Sequence, residues 1–224
     1  MRASHSKKPH IDAAIFDLDG LLVDSEPHKF AAWREALQAH GSDLTEEEFA
    51  DEWVNMGFSS ETVIRNHHLE DVSPEALRAE VSRTYLPLIE NELRPMPGAM
   101  RCLELLKRAG IPMALGTSSY HVYVDKIIVK FDLGRYFGVI VTSTDIKAVK
   151  PAPDIFLECA SRLAVDPERC LVFEDAVKGL HAAHAAGMRC LIVPTAYTKN
   201  GDFEAADILL RSLEEFDVGM MERL

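Results

Sequence analysis

A membrane-length apolar run, paired cysteines and an excess of positive charge are all missing from this sequence. No apolar run approaches the roughly 18 residues of a membrane span. Residues 1–8 are basic, but no apolar signal-peptide segment follows them. Residues 1–10 are therefore expected to form a flexible N-terminal tail. Cys102, Cys159, Cys170 and Cys190 are scattered and include no Cys-x-x-Cys spacing. Each sits in an apolar context, which suits small buried hydrophobes better than disulfides or zinc ligands. That usage points to a reducing compartment, so a cytoplasmic protein is expected. The net charge of −12 lacks the basic stripe that a nucleic acid polymer requires. It leaves a small phosphorylated metabolite open as partner, because one site needs only local positive potential. No internal repeat or low-complexity segment is present. With neither membrane nor nucleic acid as partner, a monomeric enzyme or binding protein is expected.

What is present is ample core material: 47% of 224 residues are apolar. Residues 11–16 read as a buried strand that ends in Asp17 and Asp19. From Asp24 to Pro95 no good strand appears. Phe30, Trp33 and Leu37 recur at helical spacing, with Gly41 as a stop. Thr45 and Glu48 fit a capping box leading toward Phe49 and Trp53. Residues 59–68 and 73–93 also look helical, the latter with Ser73 as N-cap and Pro74 in the first turn. Trp33 and Trp53 are expected in the core of this insertion. After Pro95, strands at 111–115, 139–141, 170–173 and 190–193 alternate with helices at 100–106, 122–131, 154–163 and 177–186. Residues 208–210 suit a short edge strand. Continuous apolar strands separated by helices imply an α/β fold with a doubly wound parallel sheet.

Four polar sets follow the first four strands, and a parallel sheet brings them all to one edge. Asp17 and Asp19, at i and i+2, can divide nucleophilic attack from proton transfer. A surface loop or calcium loop is the alternative, although Leu21, Leu22 and Val23 follow where further oxygen ligands would be needed. Thr117 and Ser118 can cradle an anion at a strand-to-helix turn, or simply cap the helix. Lys150, before Pro151, can neutralise a phosphoryl group, or be one more solvated lysine. Glu174 and Asp175 can complete an oxygen-rich magnesium site, or Asp175 can cap the next helix. Asp24, Ser25 and Glu26 suit a hinge, a substrate contact or a solvated linker. His67 and His68 are neighbours that cannot share a helix face. His181 and His184 have usable spacing but suit packing or exposure better.

In order, FDLDGLLVDSEP, GTSS, KPAPD and FEDAVKGLHAAHAAGM resemble the haloacid dehalogenase (HAD) superfamily. The resemblance is to its phosphatase and phosphomutase branch and covers nearly all the chain past residue 11. The core segments are similar to pseudouridine-5'-phosphatases and 2-deoxyglucose-6-phosphate phosphatases. It implies a Rossmann-like core at 11–24 and 96–224 and a helical cap at 25–95. It further implies Asp17 as nucleophile, Asp19 as general acid/base, and Thr117, Ser118 and Lys150 as phosphate-binding residues. Magnesium (Mg2+) would be held by Asp17, the Asp19 carbonyl and Asp175, with Glu174 behind them. The expected activity is hydrolysis of a sugar phosphate or nucleotide through an aspartyl-phosphate. A β-phosphoglucomutase is the rival. Mutases of that type carry a cap arginine where this chain has Ser60, and a hinge histidine at Lys29, with His28 one residue away. A phosphonatase would need a cap lysine, for which Lys29 is the nearby candidate without a supporting pattern. A non-catalytic relative would have lost a first-motif acid, and both are present.

Overall fold

The structure is a computed structural model that describes residues 10–57 and 59–224. The expected tail therefore lies outside the described residues, except for His10.

Six strands form one sheet: β1 (Ala13–Phe16), β2 (Met113–Gly116), β3 (Val139–Val141), β4 (Cys170–Glu174), β5 (Arg189–Ile192) and β6 (Ile208–Leu209). Every pairing is parallel, and the order is β3-β2-β1-β4-β5-β6. Strand bounds differ from expectation by one or two residues. The chain lays β2 and β3 on one side of β1, then crosses to build β4, β5 and β6 on the other. The reversal point is at β1 and β4, and a doubly wound sheet opens its crevice there, beyond the carboxyl ends.

All four residues of β1 are buried, as are those of β2 and β4. Their side chains alternate between two apolar layers. Ala14 and Phe16 join the layer containing Leu103, Leu106 and Phe216, while Ala13 and Ile15 join Ile155, Phe156 and Leu180. Phe16 stacks on Phe173 of the neighbouring strand at 4.3 Å between centroids. Burial on both faces explains why these strands carry no polar residue until their tips. All four cysteines are buried and free.

Among the described residues, the insertion at 25–95 contains helices and no strand of the sheet: α1 (Glu26–Ala39), α2 (Glu46–Glu48), a π-helical stretch (Phe49–Asn55), α3 (Ser60–Asn66) and α4 (Pro74–Asn91). The expected caps form. Thr45 and Glu48 bond reciprocally, and Ser73 Oγ accepts from the Ala76 N–H at 3.2 Å. Gly41 takes a left-handed conformation (φ 78°) just past α1. The expected α-helix through Phe49 and Trp53 is instead π-wound, with the Met56 N–H donating five residues back to Asp51 at 3.1 Å. Phe49 and Trp53 then pack on Phe30 and Trp33, at 5.6 and 5.7 Å between centroids.

The chain enters and leaves this insertion side by side. Asp24 N–H donates to Arg94 O at 3.0 Å, and Met96 N–H to Leu22 O at 2.9 Å. The remaining helices, α5 (Ala99–Arg108), α6 (His121–Phe131), α7 (Asp154–Leu163), α8 (Val177–Ala185) and α9 (Gly219–Glu222), belong with the sheet. Among the described residues, no helix is long and apolar enough to cross a membrane.

Candidate active site

A cavity of about 240 Å³ opens beyond the carboxyl ends of β1, β2 and β4. Asp17, Asp19, Thr117, Ser118, Lys150, Glu174 and Asp175 all line it, so the parallel sheet brings together every predicted core residue. The insertion contributes Glu26, Lys29, Trp33, Trp53, Gly57 and Arg78 to the same walls. Trp33 and Trp53 are thus cavity walls as well as packing residues.

Asp17 extends the buried β1, and its N–H donates to Phe173 O of β4 at 3.0 Å. One carboxylate oxygen pairs with Lys150 Nζ, and the other accepts from the Asp19 N–H at 2.9 Å. Burial pushes its pKa up to about 7; Lys150 opposes this, while Glu174 and Asp19 add to it. The Lys150 ammonium is 1% exposed and reaches Gly116 O at 3.0 Å and Glu174 Oε1 at 2.7 Å. It also lies 4.6 Å from the Phe156 ring centroid. Burial alone would lower its pKa, but Asp17 and Glu174 outweigh burial and raise it. The solvated-lysine alternative for Lys150 is excluded.

Asp19 differs in its surroundings. Lys29 Nζ lies 2.9 Å from one oxygen, which also accepts from Ser25 Oγ at 2.7 Å. The other oxygen accepts from Ser119 Oγ and, at 3.4 Å, from Thr117 Oγ1. Burial works to raise its pKa, yet Lys29 and these hydroxyls hold it below the ordinary value. Two carboxylates one residue apart are therefore driven in opposite directions, Asp17 toward its protonated form and Asp19 toward its ionised form.

Glu174 uses its second oxygen to accept from the N–H groups of Asp175 and Ala176, at 2.9 and 3.1 Å. That orients the turn after β4 and presents Asp175. Asp175 Oδ2 is buried without a hydrogen-bond partner, and burial, then Glu174, then Asp17 raise its pKa. A Cβ on Gly20 would lie 2.5 Å from that oxygen, and Gly20 holds φ at 77°. Only glycine keeps that approach clear. An orphaned carboxylate oxygen on the same cavity wall as the Asp17 carboxylate is a donor set that fits a hard divalent cation. Among the described residues, no cluster of three or more acidic, histidine or cysteine side chains is set out as a metal site. The fit rests on the carboxylates of Asp17 and Asp175.

On the other side of β1, Ser118 Oγ is also buried without a partner. Thr117 Oγ1 accepts from the Ser119 N–H at 3.1 Å, and Thr117 N–H donates to Val141 O. This turn offers an unsatisfied hydroxyl to an incoming anion rather than a plain helix cap.

Further residues sit here beyond the predicted core set. Ser25 and Ser119 hold Asp19. Lys29, and not its neighbour His28, lines the cavity, so His28 does not stand in for the mutase hinge histidine. Arg78 enters from α4, bonds Glu75 at 2.8 Å and lies 5.7 Å from the Tyr120 ring centroid. Lys178, in the first turn of α8, donates to Trp53 O at 2.9 Å. A cation opposes the helix dipole in a first turn, and that oddity was its only legible signal. Other candidates stay apart. Asp24 is exposed. His67 bonds Ser42, and His184 bonds Asp207.

The haloacid dehalogenase-like hydrolase family matches residues 11–187. The chain belongs to that family. It is 33% identical to hexitol phosphatase B of Escherichia coli over 210 residues, covering 91% of this chain and 93% of that protein. It is 34% identical to the fructose-1-phosphate phosphatase YqaB of Escherichia coli over 176 residues, covering 78% and 92%. Among solved structures, CbbY from Rhodobacter sphaeroides in complex with xylulose-(1,5)bisphosphate matches at a TM-score of 0.85 and 28% identity. That match covers 94% of this chain and 99% of CbbY. The parallel six-stranded sheet is accordingly the fold of a HAD-like hydrolase.

Proposed function

We propose that this HAD-like hydrolase is a magnesium-dependent phosphatase acting on a small phosphomonoester, a sugar phosphate or nucleotide. One observation carries the reading: Asp17, Asp19, Thr117, Ser118, Lys150 and Asp175 meet around one cavity at the carboxyl edge of the sheet. The named phosphatases among its relatives support a phosphorylated sugar. Residues 25–95 would serve as a cap that excludes bulk water and inspects the leaving group. The protein would work as a monomer in the cytoplasm, a reducing compartment that suits its four free, buried cysteines.

In this reading an Asp17 oxygen attacks phosphorus opposite the leaving oxygen. The phosphorus–oxygen ester bond breaks as the aspartyl-phosphate forms, and Asp19 delivers a proton to the departing alkoxide. Asp19 then takes a proton from water, whose oxygen attacks phosphorus. Orthophosphate leaves and the Asp17 carboxylate returns. Lys29 and the hydroxyls on Asp19 favour its ionised form, the form that would take the proton from water. Lys150 and the Ser118 hydroxyl would hold the phosphoryl oxygens and offset their charge. Asp17, Asp175 and the Asp19 carbonyl would hold magnesium, with Glu174 fixing the Asp175 turn. Bound there, the cation would neutralise charge shared by phosphate and carboxylates.

Phosphate release from an aryl phosphate, dependent on magnesium and absent with chelator, tests the reading. Asp17→Asn should abolish turnover while the protein still melts cooperatively. Full activity in that variant would overturn the nucleophile assignment.

Arg78 favours one second reading. Ser60 leaves the mutase arginine position empty, but Arg78 brings a guanidinium to the same cavity from α4, with Glu61 3.7 Å away. A phosphomutase supplied with β-glucose 1-phosphate and a trace of the 1,6-bisphosphate should accumulate glucose 6-phosphate faster than free phosphate. The reverse ratio supports the phosphatase.

A further inference from the structure

Lys178 belongs to neither the phosphate cradle nor the carboxylate cluster, yet it lines the reaction cavity. It also lines a second cavity of about 470 Å³, bounded by Asp51, Asn55, Met56, Pro151, His181 and Asn200. It is the side chain common to both walls. Its neighbours in charge are spoken for: Lys150 pairs with Asp17 and Glu174, and Lys29 with Asp19 and Glu26. Among the described residues, Lys178 forms no ion pair, and its ammonium donates to the backbone carbonyl of Trp53. Burial pulls its pKa down.

The insertion meets the core unevenly on the two sides of the reaction cavity. On one side α4 packs along α6, with Ser82 Oγ 2.7 Å from Tyr123 Oη and Lys130 Nζ donating to Ile89 O at 2.7 Å. On the other side, polar ties of the π-helical stretch to the core among the described residues include Lys178 to Trp53 O and a long contact from Asn55 Nδ2 to Tyr197 O at 3.4 Å. Trp53 O also accepts from the Gly57 N–H at 3.2 Å, so both its lone pairs are used. Gly57 has φ at 74°, and a Cβ there would lie 3.4 Å from Lys178 Cδ.

We propose that Lys178 is a positioning residue for the leaving-group pocket: it clamps the Trp53–Gly57 wall onto α8 and closes the reaction cavity off from its neighbour. The clamp sets Trp53, Val54 and Gly57 where the non-transferred part of a substrate must pack. It does not touch the transferred phosphoryl group. The consequence for turnover rests on the phosphatase reading; the consequence for the wall does not.

The test uses Lys178→Met, which keeps the stem and removes the donor, and Lys178→Arg, which keeps a donor. The chain has two tryptophans, so a Trp33→Phe background reports Trp53 alone. Acrylamide quenching of Trp53 should rise in Lys178→Met and return toward the parent in Lys178→Arg. With fructose 1-phosphate, kcat/KM should fall about tenfold, the scale of one charge-assisted hydrogen bond, and the loss should lie in KM. With p-nitrophenyl phosphate, whose flat leaving group needs less of that wall, the fall should be several-fold smaller. Unchanged quenching, or equal losses on both substrates, overturns the proposal. If the parent enzyme hydrolyses neither substrate, the phosphatase reading fails and quenching alone decides the clamp.

Discussion

Replacing Lys150 by methionine isolates what the buried lysine does for the folded protein. Its ammonium bridges Asp17 and Glu174, whose side chains are 10% and 2% exposed. Methionine fills similar space but leaves two carboxylates facing each other without a counter-charge. Removing one partner of a buried pair costs about 3–5 kcal/mol, and the low exposure leaves little solvent screening to reduce it. At this chain length, 1 kcal/mol shifts Tm by roughly 2–4 °C, so a fall of about 6–20 °C is expected. The pH dependence is the sharper test. Asp17 already has its pKa raised from 3.8 to about 7, so between those values the folded protein binds more protons than the unfolded chain. Stability contributed by this group is therefore lost as pH rises through that window. Without Lys150 the Asp17 pKa rises further, which steepens the loss. Thermal melts followed by circular dichroism should show the deficit at its largest near pH 8 and shrinking toward pH 5, where a protonated Asp17 carboxyl needs no cation. A variant that melts within about 3 °C of the parent at pH 8 would refute the reasoning. So would a deficit that is the same at both ends.

Magnesium should raise Tm more at about pH 7.5 than at about pH 5.5, because at the lower pH it must displace protons from Asp17 and Asp175, whose pKa values are raised. Equal shifts in a titrated melt would contradict their pairing around a cation. Gly20→Ala should cost about 1–3 kcal/mol in a denaturant melt, since φ is 77° and the new Cβ would press on Asp175 Oδ2. It should also weaken magnesium binding by calorimetry, whereas an unchanged affinity would remove Asp175 Oδ2 from the proposed donor set.

The two halves of the site differed in how far the sequence disclosed them. Asp17, Thr117 and Asp175 follow directly on β1, β2 and β4, and Lys150 lies on the path from β3 to α7. In a parallel sheet, such positions share one edge whatever the helices do, so local strand patterns were enough to unite them. Lys29, Arg78 and Lys178 are helical residues, and their place depends on how α1, α4 and α8 cross the sheet edge. No periodicity states that crossing, since it arises from contacts between segments far apart in the chain. The capping box at Thr45 marked where its helix begins but not its winding. The i→i+5 bonds past Phe49 come with packing against Phe30 and Trp33, which lie on another helix. Within GTSS, hydroxyl chemistry was legible but its direction was not: Ser118 Oγ is left unpaired while Ser119 Oγ turns onto Asp19. The same division applies to function. In the proposed phosphatase, groups fixed by strand ends would serve any phosphomonoester, whereas groups fixed by helix crossing would face the part of the substrate that varies. Substrate choice would then be written in the long-range contacts, and Lys178, which lines the reaction cavity and bonds the insertion, is where a change in one half should be felt by the other.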